Sequence, residues 1–551
     1  MERRSMVAIA VLFLMWVFYP TYLRMITPKQ PAILKNTEVL PAASKEILGT
    51  AAPGVIQEEV SAKVAEPIEM EIETGTLRAT FSNIGGGVRR LVSFMERNGH
   101  RDEIILFDVP PAEPSAFAML IPGLPLDLER APHQGPSFMP DGEGVEFSYT
   151  LPSGLVISKK FKVGEAESTL RLNIEVKNPT SQAKPFFFEL GSVLQKTEES
   201  IKTKPARMQS LASYTKIGNE IRRAAFMKLK KKGEYQEGQI FWTALGRLYF
   251  AVFVKPEEGT HVDSFRASAD NIMLRGATRV AAKEIPPGGS ESYSFLIYAG
   301  PTKRSTLISF GAEFEAILAS GIWGIFKTVV LILLGFFYKL FHNYGIAIIT
   351  VAVSTRMLFW PLTHKSFESM QKLQILQPKM KALQEQHKNS PEKLQKEMME
   401  FYKRHKVNPF GGCLPLLIQM PMFFALYQVL SQAVELRGAH FFGWITDLSE
   451  PDVLFKLPFT LPIFGNAIRL MPILYIISTV VQQRLQPAAS SGTSSEQEKM
   501  MKLMPIFIGF IFYNMPSGLS LYFLVSNLLM IQSQLVLKRK FAKTSLEESA
   551  S

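Results

Sequence analysis

Residues 343–362, NYGIAIITVAVSTRMLFWPL, form an almost unbroken apolar run with one arginine, Arg356, inside it. A helix needs ~20 such residues to cross a bilayer, so the run reads as a membrane span. An arginine near the middle of a span costs from ~3 kcal/mol on insertion scales to more than ~10 kcal/mol in simulations of an isolated helix. Such a charge is tolerated when it is paired with a carboxylate, solvated in a cavity, or snorkelled to the surface. The rest of the chain has to supply one of these.

Composition agrees with a membrane class. Of 551 residues, 47% are hydrophobic and 20% charged, and the apolar ones are gathered into discrete runs. The net charge of +12 first suggests cytoplasmic loops held by the positive-inside rule. No basic face interleaved with aromatics marks a nucleic-acid site. Cys413 is the single cysteine, so there is no intramolecular disulfide, and a lone cysteine provides no zinc site.

The chain divides into six stretches. Residues 1–24 place Arg3 and Arg4 before an apolar run with no small-x-small cleavage site after it, and read as an uncleaved signal-anchor transmembrane helix. Residues 25–65, rich in Pro, Ala, Glu, Lys and Thr, read as a flexible linker. Over 66–301 short alternating runs such as TLRATFSNIGG, LVISKKFKV and LRLNIEVKNP recur between turn signals, which predicts a β-sandwich. Its histidines, His100, His133 and His261, have no ligand spacing, and no GxSxG, HExxH or P-loop is present, so no catalytic residue, metal site or cofactor is expected. Residues 302–342 form a helical connector and an amphipathic helix. The apolar run between Lys327 and Lys339 is short for a span and fits an interfacial position.

Residues 343–537 form the membrane core. After the Arg356 span, 363–408 carry about twice as many Lys and Arg as Asp and Glu and read as a cytoplasmic antiparallel helical hairpin. Its basic faces are either solvated or dock a ribosome, a targeting receptor or anionic lipid. Further spans follow at 414–436, 466–483, 502–515 and 519–537, with a basic cytoplasmic tail at 538–551. Six spans and one interfacial helix put all basic segments, and both termini, on the cytoplasmic side.

No Asp or Glu lies within the core spans except Glu435 near an outer end. An intramembrane ion pair is therefore not expected for Arg356, which leaves snorkelling or a wet cavity. Thr350, Ser354, Thr355, Gln419, Gln428, Ser526, Asn527 and Gln532 lie at helix-interior positions and favour the cavity, because such groups face bundle interiors. Ordinary helix–helix hydrogen bonding is the alternative for each. The span between Lys502 and Pro516, ~20 Å as a helix, is shorter than the ~30 Å hydrocarbon core. That mismatch favours thinned lipid or water entry beside it.

The core carries a family resemblance. The stretches WPLTHKSFESMQKLQILQPKM, EKLQKEMMEFYKRHKVNPFGGCLPLLIQMPMFFALYQVL and MPSGLSLYFLVSNLLMIQSQL closely resemble the YidC family of membrane protein insertases. That family includes the mitochondrial oxidase-assembly and chloroplast albino insertases. The long β-domain behind an anchor resembles the Gram-negative form, located in the bacterial inner membrane with a periplasmic β-supersandwich. The resemblance implies a polytopic α-helical protein of six transmembrane helices, five of them forming the insertase core. It implies that Arg356 is the charge of a substrate groove and contacts the substrate's hydrophilic segment, and the polar positions Thr350, Ser354, Gln419, Gln428, Ser526 and Asn527 are expected to line that groove with it. A hydrophobic slide would include Leu417, Met420, Phe424, Leu521, Phe523 and Leu524. Some members have Thr one turn before the groove arginine, where this chain has Ala352, and Tyr where it has Phe523. The implied partners are nascent inner-membrane proteins, the Sec translocon, a ribosome or targeting receptor at the hairpin and tail, and membrane lipids. Competing readings are a transporter or channel, which predicts internal repeats, and a membrane-tethered periplasmic carbohydrate-binding protein.

Overall fold

The computed structural model describes residues 67–97, 100–111, 113–122, 128–140, 142–196, 211–318, 324–387, 390–405, 407, 414–461, 465–485 and 495–550. The signal anchor and linker expected at 1–65 lie outside them.

The β-domain is antiparallel throughout. A nine-stranded sheet runs from Glu220–Ala225 through Ala212–Ile217, Ile240–Arg247, Phe250–Pro256, Ser290–Pro301, Thr169–Lys177, Val156–Val163 and Gly144–Thr150 to Gln134–Phe138. A five-stranded sheet contains Glu234–Glu237, Val262–Ala269, Met273–Val280, Glu189–Gln195 and Met119–Leu120. A four-stranded sheet is built from Glu69–Glu73, Leu77–Ser82, Gly87–Arg97 and His100–Asp108. Alternation builds the interior. In VISKKFKV the side chains of Ile157, Lys159 and Phe161 are buried while Lys160 and Lys162 are partly exposed, as a two-residue period requires. Phe81, Phe147 and Phe161 meet in the core with ring centroids 5.2–6.5 Å apart.

Lys159 occupies an inward position and is fully buried. Its ammonium donates to the carbonyl oxygens of Phe117 at 2.7 Å, of Gly85 at 3.5 Å and of Gly86. Desolvation lowers its pKa to about 7. His133 is buried nearby, with Nδ1 bonded to Ala131 O at 3.0 Å and Nε2 without a partner among the described residues. Burial, and then the Lys159 charge, push the imidazole pKa down to about 4.

The helices are α1 (Phe226–Lys232), α2 (Arg304–Ser309), α3 (Gly324–Phe341), α4 (Tyr344–Gln386), α5 (Pro391–Arg404), α6 (Leu414–Gln432), α7 (Leu470–Leu485), α8 (Ser495–Phe512) and α9 (Ser517–Ala550). Among the described residues three are long and apolar enough to cross a membrane, at Gly324–Phe341, Tyr344–Leu376 and Ser517–Leu537. Leu470–Leu485 and Leu503–Phe512 are shorter apolar helices.

Several boundaries differ from the sequence reading. The Arg356 span and the first hairpin helix are one continuous helix, α4, because a shift from apolar to polar composition is not a helix stop. Likewise α8 begins ahead of the span expected at 502–515, and α9 continues through the expected tail to Ala550. Over the described residues 302–318 the helical content is limited to α2 and a 3₁₀ turn at Phe314–Ile317. Helix α3 runs past both Lys327 and Lys339, and Lys327 is buried.

The connector is fastened to the β-domain. Trp242 Nε1 donates to Ala312 O at 2.8 Å, and Phe253 stacks on Phe314 at 4.2 Å. The C-terminal end of α6 and the 3₁₀ turn Val434–Leu436 after it also reach the β-domain. Val434 joins the sandwich core, and Tyr249 donates its hydroxyl to Ser431 O at 3.1 Å. The Arg304 amide donates to Glu435 Oε1 at 3.2 Å, and the Arg437 guanidinium lies 5.5 Å from the Tyr249 ring.

Candidate functional site

Helices α4, α6 and α9 surround a narrow cleft whose water-accessible volume is about 20 Å³. It is lined by Thr355, Arg356, Phe359, Leu362 and Thr363 of α4, Gln419 and Met422 of α6, and Tyr522 and Ser526 of α9. Tyr522 and Ser526 are one helical turn apart and so share a face. Arg356 Nε donates to Ser526 Oγ at 2.8 Å. The Thr355 hydroxyl lies 3.1 Å from the Tyr522 hydroxyl, and 2.9 and 3.0 Å from the carbonyl oxygens of Val351 and Ala352. A guanidinium carries five N–H donors. Among the described residues only Nε finds a side-chain partner, and no carboxylate pairs with the group. The remaining donors face a cleft of mixed polar and apolar lining.

The structure brings Arg356, Gln419 and Ser526 together and sends other expected groove residues elsewhere. Asn527 donates its amide to Ser478 Oγ at 3.1 Å and Thr479 Oγ1 at 2.9 Å, tying α9 to α7. Thr350 bonds back to Ile346 O at 2.9 Å. Ser354 is half-buried and outside the lining. Gln428 follows Gln419 by nine residues, two and a half turns, and so points from the opposite side of α6. Tyr522, Met422, Phe359, Leu362 and Thr363 were not singled out from sequence. The spacing of Tyr522 four residues before Ser526 was the available signal.

The slide residues also separate. Leu521 and Phe523 are buried in the bundle core. Phe523 packs against Phe512 at 5.3 Å, Phe423 at 5.4 Å and Tyr475 at 6.1 Å. Met420, Phe424 and Leu524 are partly exposed, and the side chain of Leu417 falls outside the description. Beside Arg356, Met357 and Leu358 are 72% and 70% exposed, so an apolar outer surface adjoins the polar cleft. Ala352 is fully buried.

A cap of loops and a short hairpin (Phe455–Leu461 with Gly465–Ile468) covers one end of the bundle. Asp452 Oδ2 accepts from the Leu470 amide at 2.8 Å, the Met471 amide at 3.0 Å and Trp444 Nε1 at 3.1 Å. It thereby satisfies two N–H groups that the first turn of α7 leaves open. Arg469 NH1 donates to Tyr513 O and, at 2.5 Å, to Asn514 Oδ1. Among the described residues no group of three His, Cys, Asp or Glu could hold a metal ion.

A β-sandwich ahead of apolar helices, with an arginine-bearing cleft among those helices, defines a polytopic membrane protein with a polar site inside its helical core. Residues 69–332 match the family model described as YidC periplasmic domain, and residues 336–544 the one described as 60Kd inner membrane protein. The membrane protein insertase YidC of Pelobacter propionicus is 30% identical, over 98% of this chain and 99% of its own length. That of Geotalea uraniireducens is also 30% identical, over 97% and 98%. A crystal structure of active YidC insertase with the first transmembrane domain resolved covers 84% of this chain and 92% of its own, at 19% identity and a TM-score of 0.36. The chain belongs to the YidC family of membrane protein insertases, which are inner-membrane proteins. This assignment favours insertion over the transporter and carbohydrate-binding readings.

Proposed function

We propose that this insertase receives the polar segment of a nascent membrane protein in the cleft around Arg356. The observation that carries the reading is a guanidinium with one hydroxyl partner and no carboxylate among the described residues. An acidic substrate residue ~4 Å from Arg356 would gain about 4 kcal/mol of Coulomb attraction at an effective dielectric of ~20. Ser526, Thr355, Tyr522 and Gln419 would supply hydrogen bonds to the segment's backbone. The apolar part of the substrate would leave along the partly exposed Met420, Phe424 and Leu524 and the outer surface at Met357 and Leu358. No nucleotide enters this scheme, and no bond is made or broken. Transfer is driven by burial of apolar surface, and by the membrane potential acting on acidic tails.

In the same reading the core is 343–537, the domain at 66–301 is periplasmic, and both termini are cytoplasmic. The chain crosses six times, with α3 in the interface. The excess of Lys and Arg in 363–408 supports that orientation. The basic hairpin and tail would meet a ribosome or targeting receptor, and the core would work beside the Sec translocon.

The test is protease protection of a single-span protein with a short acidic tail, using the full chain in nucleotide-free liposomes. Wild-type protein should protect well above empty liposomes. Arg356→Ala should fall toward the empty control, Arg356→Lys should retain part of the activity, and a neutral-tailed substrate should be less sensitive to both. Undiminished insertion of the acidic-tailed substrate by Arg356→Ala would reject the groove charge as its receptor.

A further inference from the structure

The nine-stranded sheet ends on the strand Glu220–Ala225, and α1 follows at once. Residues 220–232 hold six cations, Arg222, Arg223, Lys228, Lys230, Lys231 and Lys232, against one carboxylate, Glu220. All six are exposed, as is Met227. Glu220 lies 3.6 Å from Arg222, Lys228 pairs with Glu234, and Lys230 donates to Asn271 Oδ1 at 2.6 Å. These contacts leave the stretch strongly positive.

Two observations set this edge next to the start of α3. Ile221 packs against the cluster that contains Leu307, Phe314 and Ile317 of the connector, just ahead of α3. Arg223 lies near enough to Lys327, in the first turn of α3, for the two charges to interact. Helix α3 is the first apolar helix after the β-domain. Whether it lies in the interface or crosses, its first turn marks the headgroup level.

We propose that the basic edge at 220–232 rests on the anionic headgroups of the membrane and holds the β-domain against that surface. Charge complementarity selects the occupant. Juxtamembrane Lys and Arg clusters are attracted to anionic lipid within about a Debye length. The cores of protein–protein interfaces, by contrast, are depleted of charged residues, lysine among them. The exposed Met227 adds an apolar contact at the boundary of headgroup and chain. This surface is separate from the Arg356 cleft and does not depend on the groove reading.

The test is amide hydrogen exchange of the full chain in nanodiscs of phosphatidylglycerol and, separately, of phosphatidylcholine. Exchange across 220–232 should slow by about threefold or more in the anionic discs and should recover in about 0.5 M salt. The variant R222E/R223E/K231E/K232E should lose the protection, with exchange elsewhere in the β-domain unchanged. Replacing Lys228, Lys230, Lys231 and Lys232 by arginine should keep it. Exchange indifferent to lipid charge in the unmodified protein would overturn the proposal and leave the cations as protection of an open sheet edge. Protection that arises only when a second protein is added would overturn it equally.

Discussion

Replacing Asp452 tests how the end of the helical core is held. Its Oδ2 is the shared acceptor of the Leu470 and Met471 amides and of Trp444 Nε1, and the side chain is only 4% exposed. Water therefore has little access to replace it. Loss of a helix cap costs about 1–2 kcal/mol. Leaving a buried indole N–H without an acceptor costs a further ~1–3 kcal/mol. Asp452→Ala should then destabilise the core by about 2–5 kcal/mol, or roughly 4–20 °C at ~2–4 °C per kcal/mol. Asp452→Asn keeps an acceptor oxygen and loses the charge at the helix N-terminus, which is worth about 0.3–1 kcal/mol. Thermal unfolding of the detergent-solubilised protein, followed by tryptophan fluorescence, reads both. An Ala variant within ~1 °C of wild type would refute the capping account. If Asn proved as damaging as Ala, the decisive term would be attraction to the neighbouring Arg469 rather than the hydrogen bonds.

Three more outcomes follow from geometry already described. Val434→Asp would put a carboxylate into the sandwich core at a cost of several kcal/mol, and limited proteolysis should reveal new cleavage in the connector at 302–318, whereas Val434→Ile should not. Tyr522→Phe should cost only about 1 kcal/mol in thermal unfolding, because the Thr355 hydroxyl keeps its bonds to Val351 and Ala352. The His133 pKa is depressed from 6.5 to about 4, so between those values the unfolded chain binds more protons than the folded one. Stability should therefore fall as pH drops from about 6.5 to 4, by up to about 3 kcal/mol, and a pH series of thermal unfolding should show His133→Gln largely relieved of that loss.

The legible part of this chain was whatever periodicity and cost make local. Alternation in VISKKFKV and its neighbours marked the β-domain, and the expense of Arg356 in lipid marked a polar site before any partner was known. Ser526 and Gln419 followed as polar groups on spans that had to pack together. The slide was harder because α9 is apolar on nearly every side, and such a helix carries no moment to separate the face toward lipid from the face toward its neighbours. Leu521 and Phe523 thus read the same as Leu524 until packing decided among them. Asn527 was chosen on polarity alone, and polarity does not say which neighbouring helix will answer it. Lys159 fell in register with Ile157 and Phe161, but its burial depends on three carbonyl groups from distant turns. Only tertiary structure delivers those.

The contact of Val434 with the sandwich core has a meaning in time. The last strand of the sandwich ends at Pro301, and the ribosome must add about 130 residues more before Val434 exists. At ~5–20 residues per second this takes roughly 7–27 s. Throughout that interval the β-domain stands with one position in its interior unfilled, and only the arrival of the 3₁₀ turn after α6 closes it. The β-domain is thereby finished last by a residue of the helical half, and a chain whose turn after α6 goes astray leaves a gap in a domain made well before it.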